Sequence, residues 1–202
     1  MIKIGVLAST NATDLQAVIE AIKSKKIDAA VSVVISNKKD SGALARAKRY
    51  SIDSVFIDSK NKEREQFDKE VAKELDKYEV DLILLIGYMR ILSPFFVKKY
   101  RNRIMNIHPS LLPAFSAGMD KNVHEEVLKC GCKVTGCTLH FVDESVDNGP
   151  IIMQKAVEIS ENETVDSLKE KVQKAEQEII VNAIDLYSKG KIKIEGRKVI
   201  LK

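Results

Sequence analysis

Leu82-Ile83-Leu84-Leu85-Ile86 is an unbroken apolar run. A strand with one face in water alternates apolar and polar side chains, because successive side chains point to opposite faces. A run without alternation fits a strand covered on both faces, as in a parallel sheet under crossover helices. The flanking sequence supplies such helices. Lys62 to Tyr78 carries Phe67, Val71, Leu75 and Tyr78 at helical spacing, and Ser93 caps a helix that has Pro94 at its first position and runs to about Tyr100. Upstream, Ile2 to Leu7 reads as a strand, Ser9 to Ala12 as a loop, and Asp14 to Ser24 as a helix with an apolar stripe of Leu15, Val18, Ile19 and Ile22. Thr13 with Gln16 three residues on predicts a capping box at its start. Val31 to Ile35, Ser41 to Tyr50 and Ser54 to Ile57 continue as strand, helix, strand.

Beyond Leu82 to Ile86, Arg103 to Ile107 reads as a fifth strand, followed by a loop over Ala114 to Asn122 and a helix over Val123 to Lys129. Val134 to Val142 and Ile151 to Val157 read as strands joined through Asp143 to Pro150. A helix over Val165 to Ser188 and a hairpin over Lys191 to Leu201, turning at Gly196, complete the pattern. Such alternation predicts an α/β, Rossmann-like layered fold: a mostly parallel central sheet with helices on both faces, in a single domain over residues 1–202. Ligands in that architecture bind beyond the carboxyl ends of strands, where Asn11, Gly87 to Ile91, and Asn106 to Pro109 fall.

Composition narrows the function classes. No apolar run approaches the ~20 residues that span a bilayer, and the amino terminus enters a strand pattern without a basic, apolar and cleavable leader, so the expectation is a cytoplasmic protein with no membrane partner. A formal net charge of +4 on 202 residues, with Lys and Arg interleaved among Glu and Asp, argues against nucleic acid. Three cysteines, Cys130, Cys132 and Cys137, are odd in number and clustered, which argues against a disulfide framework. His124 and His140 lie nearby in sequence, but the spacing matches no paired zinc pattern. On one strand Cys132 and Cys137 would face opposite ways, so no metal is expected.

The candidate chemistry starts at Asn106-Ile107-His108-Pro109. Side chains at i and i+2 of a strand share a face, so Asn106 and His108 converge while Ile107 turns away, and Pro109 biases His108 toward extended backbone. An amide and an imidazole can both donate to an oxygen that gains charge as a carbonyl is attacked, which suits acyl or formyl transfer. Asp147, in the turn sequence Asp-Asn-Gly-Pro, would orient His108 and raise its pKa if that turn folds back beside the ring.

Gly87-Tyr88-Met89-Arg90-Ile91-Leu92-Ser93, Asn106 to Pro113, and His140-Phe141-Val142 with Asp147-Asn148-Gly149-Pro150-Ile151-Ile152 resemble, in order and spacing, the folate-dependent formyltransferases, and among them the phosphoribosylglycinamide formyltransferases. The resemblance runs nearly the full length. It implies transfer of a formyl group from 10-formyltetrahydrofolate, as cosubstrate and without metal, to the amine of glycinamide ribonucleotide in de novo purine biosynthesis. Asn106 and His108 would hold the oxyanion and Asp147 would support His108. The folate would be flanked by Arg64 and by Met89, Arg90, Ile91 and Leu92, with His140, Val142, Asp143 and Glu144 closing its pocket. Gln173 and Glu176 match positions that contact the ribose hydroxyls. The loop holding Asn11, Ala12, Thr13 and Asp14 would receive the phosphate at a helix amino terminus. Small-molecule partners and a monomer or homodimer complete the expectation.

The phosphate loop departs from the family pattern, roughly Ser-Gly-Asn-Gly-Ser-Asn. Here it reads Ser9-Thr10-Asn11-Ala12-Thr13-Asp14, without the glycines that allow positive φ and close backbone approach. Asp14 also sets a negative charge where a phosphate docks, worth ~1 to 4 kcal/mol of repulsion at about 4 Å. The stretch Ala114 to Val123, Phe115-Ser116-Ala117-Gly118-Met119-Asp120-Lys121-Asn122 in its middle, departs from the family's usual glycines and Pro-Gly with a histidine as well, and Lys121 could replace a lost substrate contact. These departures bear on the acceptor, leaving open another amine, a formyltetrahydrofolate hydrolase, or a non-catalytic folate- or nucleotide-binding protein. The tRNA-acting relatives and the hydrolases carry further domains that this chain is not expected to have.

Overall fold

The computed structural model describes residues 1–116 and 122–202. Its elements follow the order β1 (Ile2–Ala8), α1 (Asp14–Lys23), β2 (Ala29–Ser36), α2 (Gly42–Arg49), β3 (Asp53–Phe56), α3 (Arg64–Lys77), β4 (Leu82–Leu85), α4 (Pro94–Lys99) and β5 (Ile104–His108). Then come α5 (Val123–Lys129), β6 (Val134–Phe141), β7 (Ile151–Glu158), α6 (Val165–Ser188), β8 (Ile192–Glu195) and β9 (Lys198–Leu201). Among the described residues one sheet has the strand order β3-β2-β1-β4-β5-β6-β7-β9-β8. The first five strands run parallel; β6 lies antiparallel to β5 and to β7, and β8 and β9 form an antiparallel hairpin.

The apolar run at Leu82 explains the layering. Leu82, Leu84 and Ile86 enter one core with Leu15 and Val18 of α1 and Leu168, Val172 and Ile180 of α6. Ile83 and Leu85 enter the other with Phe67, Val71 and Leu75 of α3 and Phe96 of α4. All five are at most 6% exposed, so β4 has no face for a polar residue. Burying each side chain contributes about 1.5 to 3 kcal/mol, and truncating one to Ala costs about 2 to 5 kcal/mol.

One local expectation fails. Thr13 does not cap α1 with its side chain; its own backbone is already helical, at φ −63° and ψ −32°. From that conformation the hydroxyl cannot reach back to the first-turn amides, and it accepts from the Gln173 amide on α6 instead. Gln16 is likewise engaged elsewhere, donating to Glu20 and to the Tyr50 hydroxyl and accepting from Arg46. A capping box occurs at Thr164 and Ser167, which open α6. The cap on α4 forms as expected, with the Ser93 hydroxyl accepting from the Phe96 amide at 3.4 Å. Residues 117–121, including Lys121, lie outside the described residues.

Candidate active site

β5 ends on His108, and its antiparallel partner β6 sets His140 opposite Asn106 and Thr138 opposite His108. The chain leaving β6 then folds back and delivers Asp147 to the same point. Gly149 makes that return possible: a Cβ there would stand 1.8 Å from the Phe141 carbonyl oxygen. Asp147 itself adopts φ +51°, a left-handed conformation that Asp tolerates better than most residues. Buried Thr138 pins the other side, donating to the Ser110 carbonyl at 2.7 Å and accepting from the Leu112 amide at 3.0 Å.

The four side chains make one polar cluster. Asn106 donates from Nδ2 to Asp147 Oδ1 at 3.3 Å and lies 3.1 Å from His140 Nε2. His140 Nδ1 is 2.9 Å from the Phe141 carbonyl oxygen. That carbonyl can only accept, so the tautomer that satisfies both contacts carries its proton on Nδ1 and receives the Asn106 amide at Nε2. His108 Nδ1 lies 3.4 Å from Asp147 Oδ2, and His108 Nε2 lies 3.0 Å from the Phe115 carbonyl oxygen. Asp147 therefore bridges the amide and the imidazole, one oxygen to each.

The expected rise in the His108 pKa is not found. Burial holds it below the ordinary histidine value, outweighing the favourable pull of Asp147 and of the Phe115 carbonyl, with His140 also lowering it. The carboxylate orients the ring without overcoming the loss of water around it.

Two cavities flank the end of β5, one to each side of the strand. The first is lined in part by Asn106, His140 and Asp147. Arg90, Ile91, Leu92, Val142, Asp143 and Glu144 line the remainder, together with Tyr88 and Val146, which were not singled out in the sequence. The Arg90 guanidinium sits 4.4 Å from the Phe67 ring centroid. Arg64 and Met89 do not line this cavity. Arg64 is exposed at the start of α3, and Met89, 43% exposed, is held through its backbone amide by the Ser9 hydroxyl at 2.9 Å.

The second cavity, of about 580 Å³, is lined by Thr10, Ala12, Thr13, Asp14, Ile107, Pro109, His124, Lys169, Gln173 and Glu176. Asn106 and Ile107 face different cavities, as the period of two requires. Asn11 is exposed and packs its side chain against Gly42 rather than lining the space. Ala12 reaches φ +44° without being glycine, so loss of the glycine did not abolish the left-handed turn. Asp14 is not a free surface charge: it is 5% exposed, its Oδ1 has no hydrogen-bond partner, and burial pushes its carboxyl up to about 6. Glu176, raised well above its ordinary range by burial and by Asp14, stands beside it.

Cys137 is fully buried on β6, its thiol pushed up to about 12 by burial. Cys132 precedes that strand, so the two do not share one, contrary to the geometry considered from spacing. Among the described residues no cluster of three or more metal-ligating side chains occurs, and no helix is long and apolar enough to cross a membrane.

Residues 2–184 match the model of a family described as formyl transferase. The chain is 38% identical over 190 residues to the phosphoribosylglycinamide formyltransferase of Escherichia coli (strain K12), covering 94% of this chain and 88% of that protein. It is 42% identical over 203 residues to the trifunctional purine biosynthetic protein adenosine-3 of Gallus gallus, covering all of this chain but only 20% of that protein's length. Among solved structures it superposes on glycinamide ribonucleotide transformylase 1 from Symbiobacterium toebii with a TM-score of 0.95 and 42% identity, covering 100% of this chain and 94% of that one.

Proposed function

The chain belongs to the formyl transferase family, and on that premise we propose that it moves the formyl group of 10-formyltetrahydrofolate to the amine of glycinamide ribonucleotide, a step of purine biosynthesis. The observation that carries this reading is the Asn106, His108, Asp147 cluster, with Asp147 within 3.4 Å of both partners, beside a first cavity lined by Asn106 and Asp147 and a second lined by the adjacent Ile107. A donor on one side and an acceptor on the other would meet there.

The first cavity suits a flat heteroaromatic ring. Leu85, Ile91, Leu92 and Val142 provide apolar walls, and half-buried Tyr88 has a buried hydroxyl with no hydrogen-bond partner. Arg90 is the cation available for the carboxylates of the folate tail. The second cavity would take the ribosyl phosphate, with Glu176 and Gln173 toward the sugar.

In the reaction the acceptor amine adds to the formyl carbon, and the carbonyl electrons move onto oxygen. Asn106 Nδ2, whose two protons serve Asp147 Oδ1 and His140 Nε2, would turn one of them to that oxyanion, and His108 would donate to it as well. His108 is engaged at both nitrogens by acceptors, so the formyl oxygen would replace the Phe115 carbonyl at Nε2, and the ring would take up a second proton, shared with Asp147 at Nδ1, as the oxyanion forms. Collapse breaks the bond to the folate nitrogen, which takes up the proton lost by the amine, carried through Asp147 and a water. Such donors are each worth about 100- to 1,000-fold in rate, and alignment of the two reactants lowers the barrier further.

The test is a spectrophotometric assay of folate release from 10-formyltetrahydrofolate with and without glycinamide ribonucleotide. Stimulation by that acceptor is expected. Release that ignores it would identify a hydrolase; no release in either case would mean a non-catalytic binding protein.

A further inference from the structure

The second cavity is lined by two carboxyl groups, Asp14 and Glu176, and by two groups able to carry positive charge, His124 and Lys169, and this mixture bears on how an anion is held. The start of α1 offers backbone amides in the left-handed turn at Ala12, but it also offers Asp14. A phosphate docked against that wall alone would sit beside a carboxyl group that is largely ionised at neutral pH. His124 of α5 and Lys169 of α6 line the same cavity. His124 is 8% exposed, and its Nδ1 is buried without any hydrogen-bond partner. A buried imidazole nitrogen left unpaired carries a desolvation cost that a ligand atom can relieve. Burial, and after it the nearby Lys169, disfavour the charged form of His124, and Lys169 forms no ion pair among the described residues. It lies one helical turn before Gln173 and two before Glu176, so all three project from the same face of α6.

We propose that Lys169 and His124 are the phosphate-binding residues of the acceptor cavity, supplying the charge that the altered loop at Thr10 to Asp14 cannot. This rests on the reading of the acceptor as a phosphorylated ribosyl amine. The Lys169 ammonium neutralises one phosphate charge, and His124 Nδ1 donates to a phosphate oxygen, with protonation of the ring favoured once the dianion is present. The carboxyls of Asp14 and Glu176 are left to accept from the sugar hydroxyls.

The test pairs calorimetric titration of ribose 5-phosphate with acceptor kinetics for the wild type, Lys169→Ala, Lys169→Arg, His124→Leu and His124→Asn. Lys169 is exposed, so its variants keep the fold. Lys169→Ala is expected to weaken ribose 5-phosphate binding and raise the acceptor KM by about tenfold or more while leaving kcat within about twofold, the split that marks loss of uniform binding. Lys169→Arg, which keeps the charge, should restore both, and His124→Asn, which keeps a donor near Nδ1, should outperform His124→Leu. Equal affinity of wild type and Lys169→Ala for ribose 5-phosphate, or none in either, overturns the proposal even if glycinamide ribonucleotide is formylated. Binding that depends on Lys169 in a protein that does not formylate glycinamide ribonucleotide upholds the phosphate site and rejects the acceptor assignment.

Discussion

Asp14→Asn should stabilise the protein at pH 8 and not at pH 4. Asp14 is 5% exposed, and its carboxyl is pushed from 3.8 to about 6, chiefly by burial, against the opposing pulls of Gln177 and Arg46. The folded value lies above the unfolded one, so protonation favours the folded state. The contribution is complete below about pH 3.8 and is lost as pH rises through about 6. At ~1.4 kcal/mol per pH unit, the charged form costs about 3 kcal/mol at pH 8, an upper figure because the neighbouring Glu176 shares the titration. Replacing the carboxylate with an amide of the same shape removes that cost, and a gain of about 1 to 3 kcal/mol is expected. That corresponds to roughly 2 to 10 °C in Tm for a chain of this size. The assay is urea denaturation of both proteins across pH 4 to 8, read as the difference between them. His108 and His124, both held below the ordinary histidine value, lose their contribution as pH falls through their folded values, but they are present in both proteins and cancel. A difference that stays constant with pH, or a variant less stable at pH 8, would show that the buried carboxylate is not the source of the strain.

Replacing His108 with Ala, or Asn106 with Ala, should each lower kcat by about 100-fold or more if they hold the oxyanion, and steady-state rates near wild type would remove that residue from the chemistry. Arg197 of the β8–β9 turn donates to the Asn148 carbonyl at 2.8 Å and to its side-chain oxygen at 3.1 Å. Arg197→Ala should therefore loosen the Asp147 loop and lower kcat/KM by up to about tenfold, the equivalent of ~1.4 kcal/mol, with little change in Tm. Gly149→Ala must move the same loop away from Phe141, and a loss of kcat exceeding about tenfold is expected; full activity would mean the loop can shift without displacing Asp147.

The layered fold was legible because it depends on local pattern. The uninterrupted run at Leu82 requires two apolar coats, and the stripes on α1 and α3 supply them. The pairing of Asn106 with His108 was legible for the same reason: period two is a property of any strand. Other features depend on contacts far apart in sequence. His140 meets Asn106 only because β6 runs antiparallel beside β5, and nothing near residue 140 signals that register. The failed cap at Thr13 has the same origin, since Gln173, distant by 160 positions, competes for its hydroxyl. Burial is also a property of the assembled fold, which is why the His108 pKa was expected to move the wrong way: the carboxylate was visible in the sequence and the loss of solvent was not.

The acceptor cavity shows how such a miss can mislead about function. Read along the chain, Thr10 to Asp14 is a phosphate loop that has lost its glycines and gained a repelling charge. In the fold, Ala12 still makes the left-handed turn, so the backbone geometry does not depend on glycine there. Asp14 is turned inward, and burial raises its carboxyl to about 6. The sequence signal for compensation was available but weak: Lys169 sits four residues before Gln173, on the helical face already assigned to the ribose, and His124 had been weighed only as a metal ligand. A retained acceptor then needs a cation for its phosphate, and Lys169 is the lysine that lines this cavity. The Lys169→Ala titration decides that point.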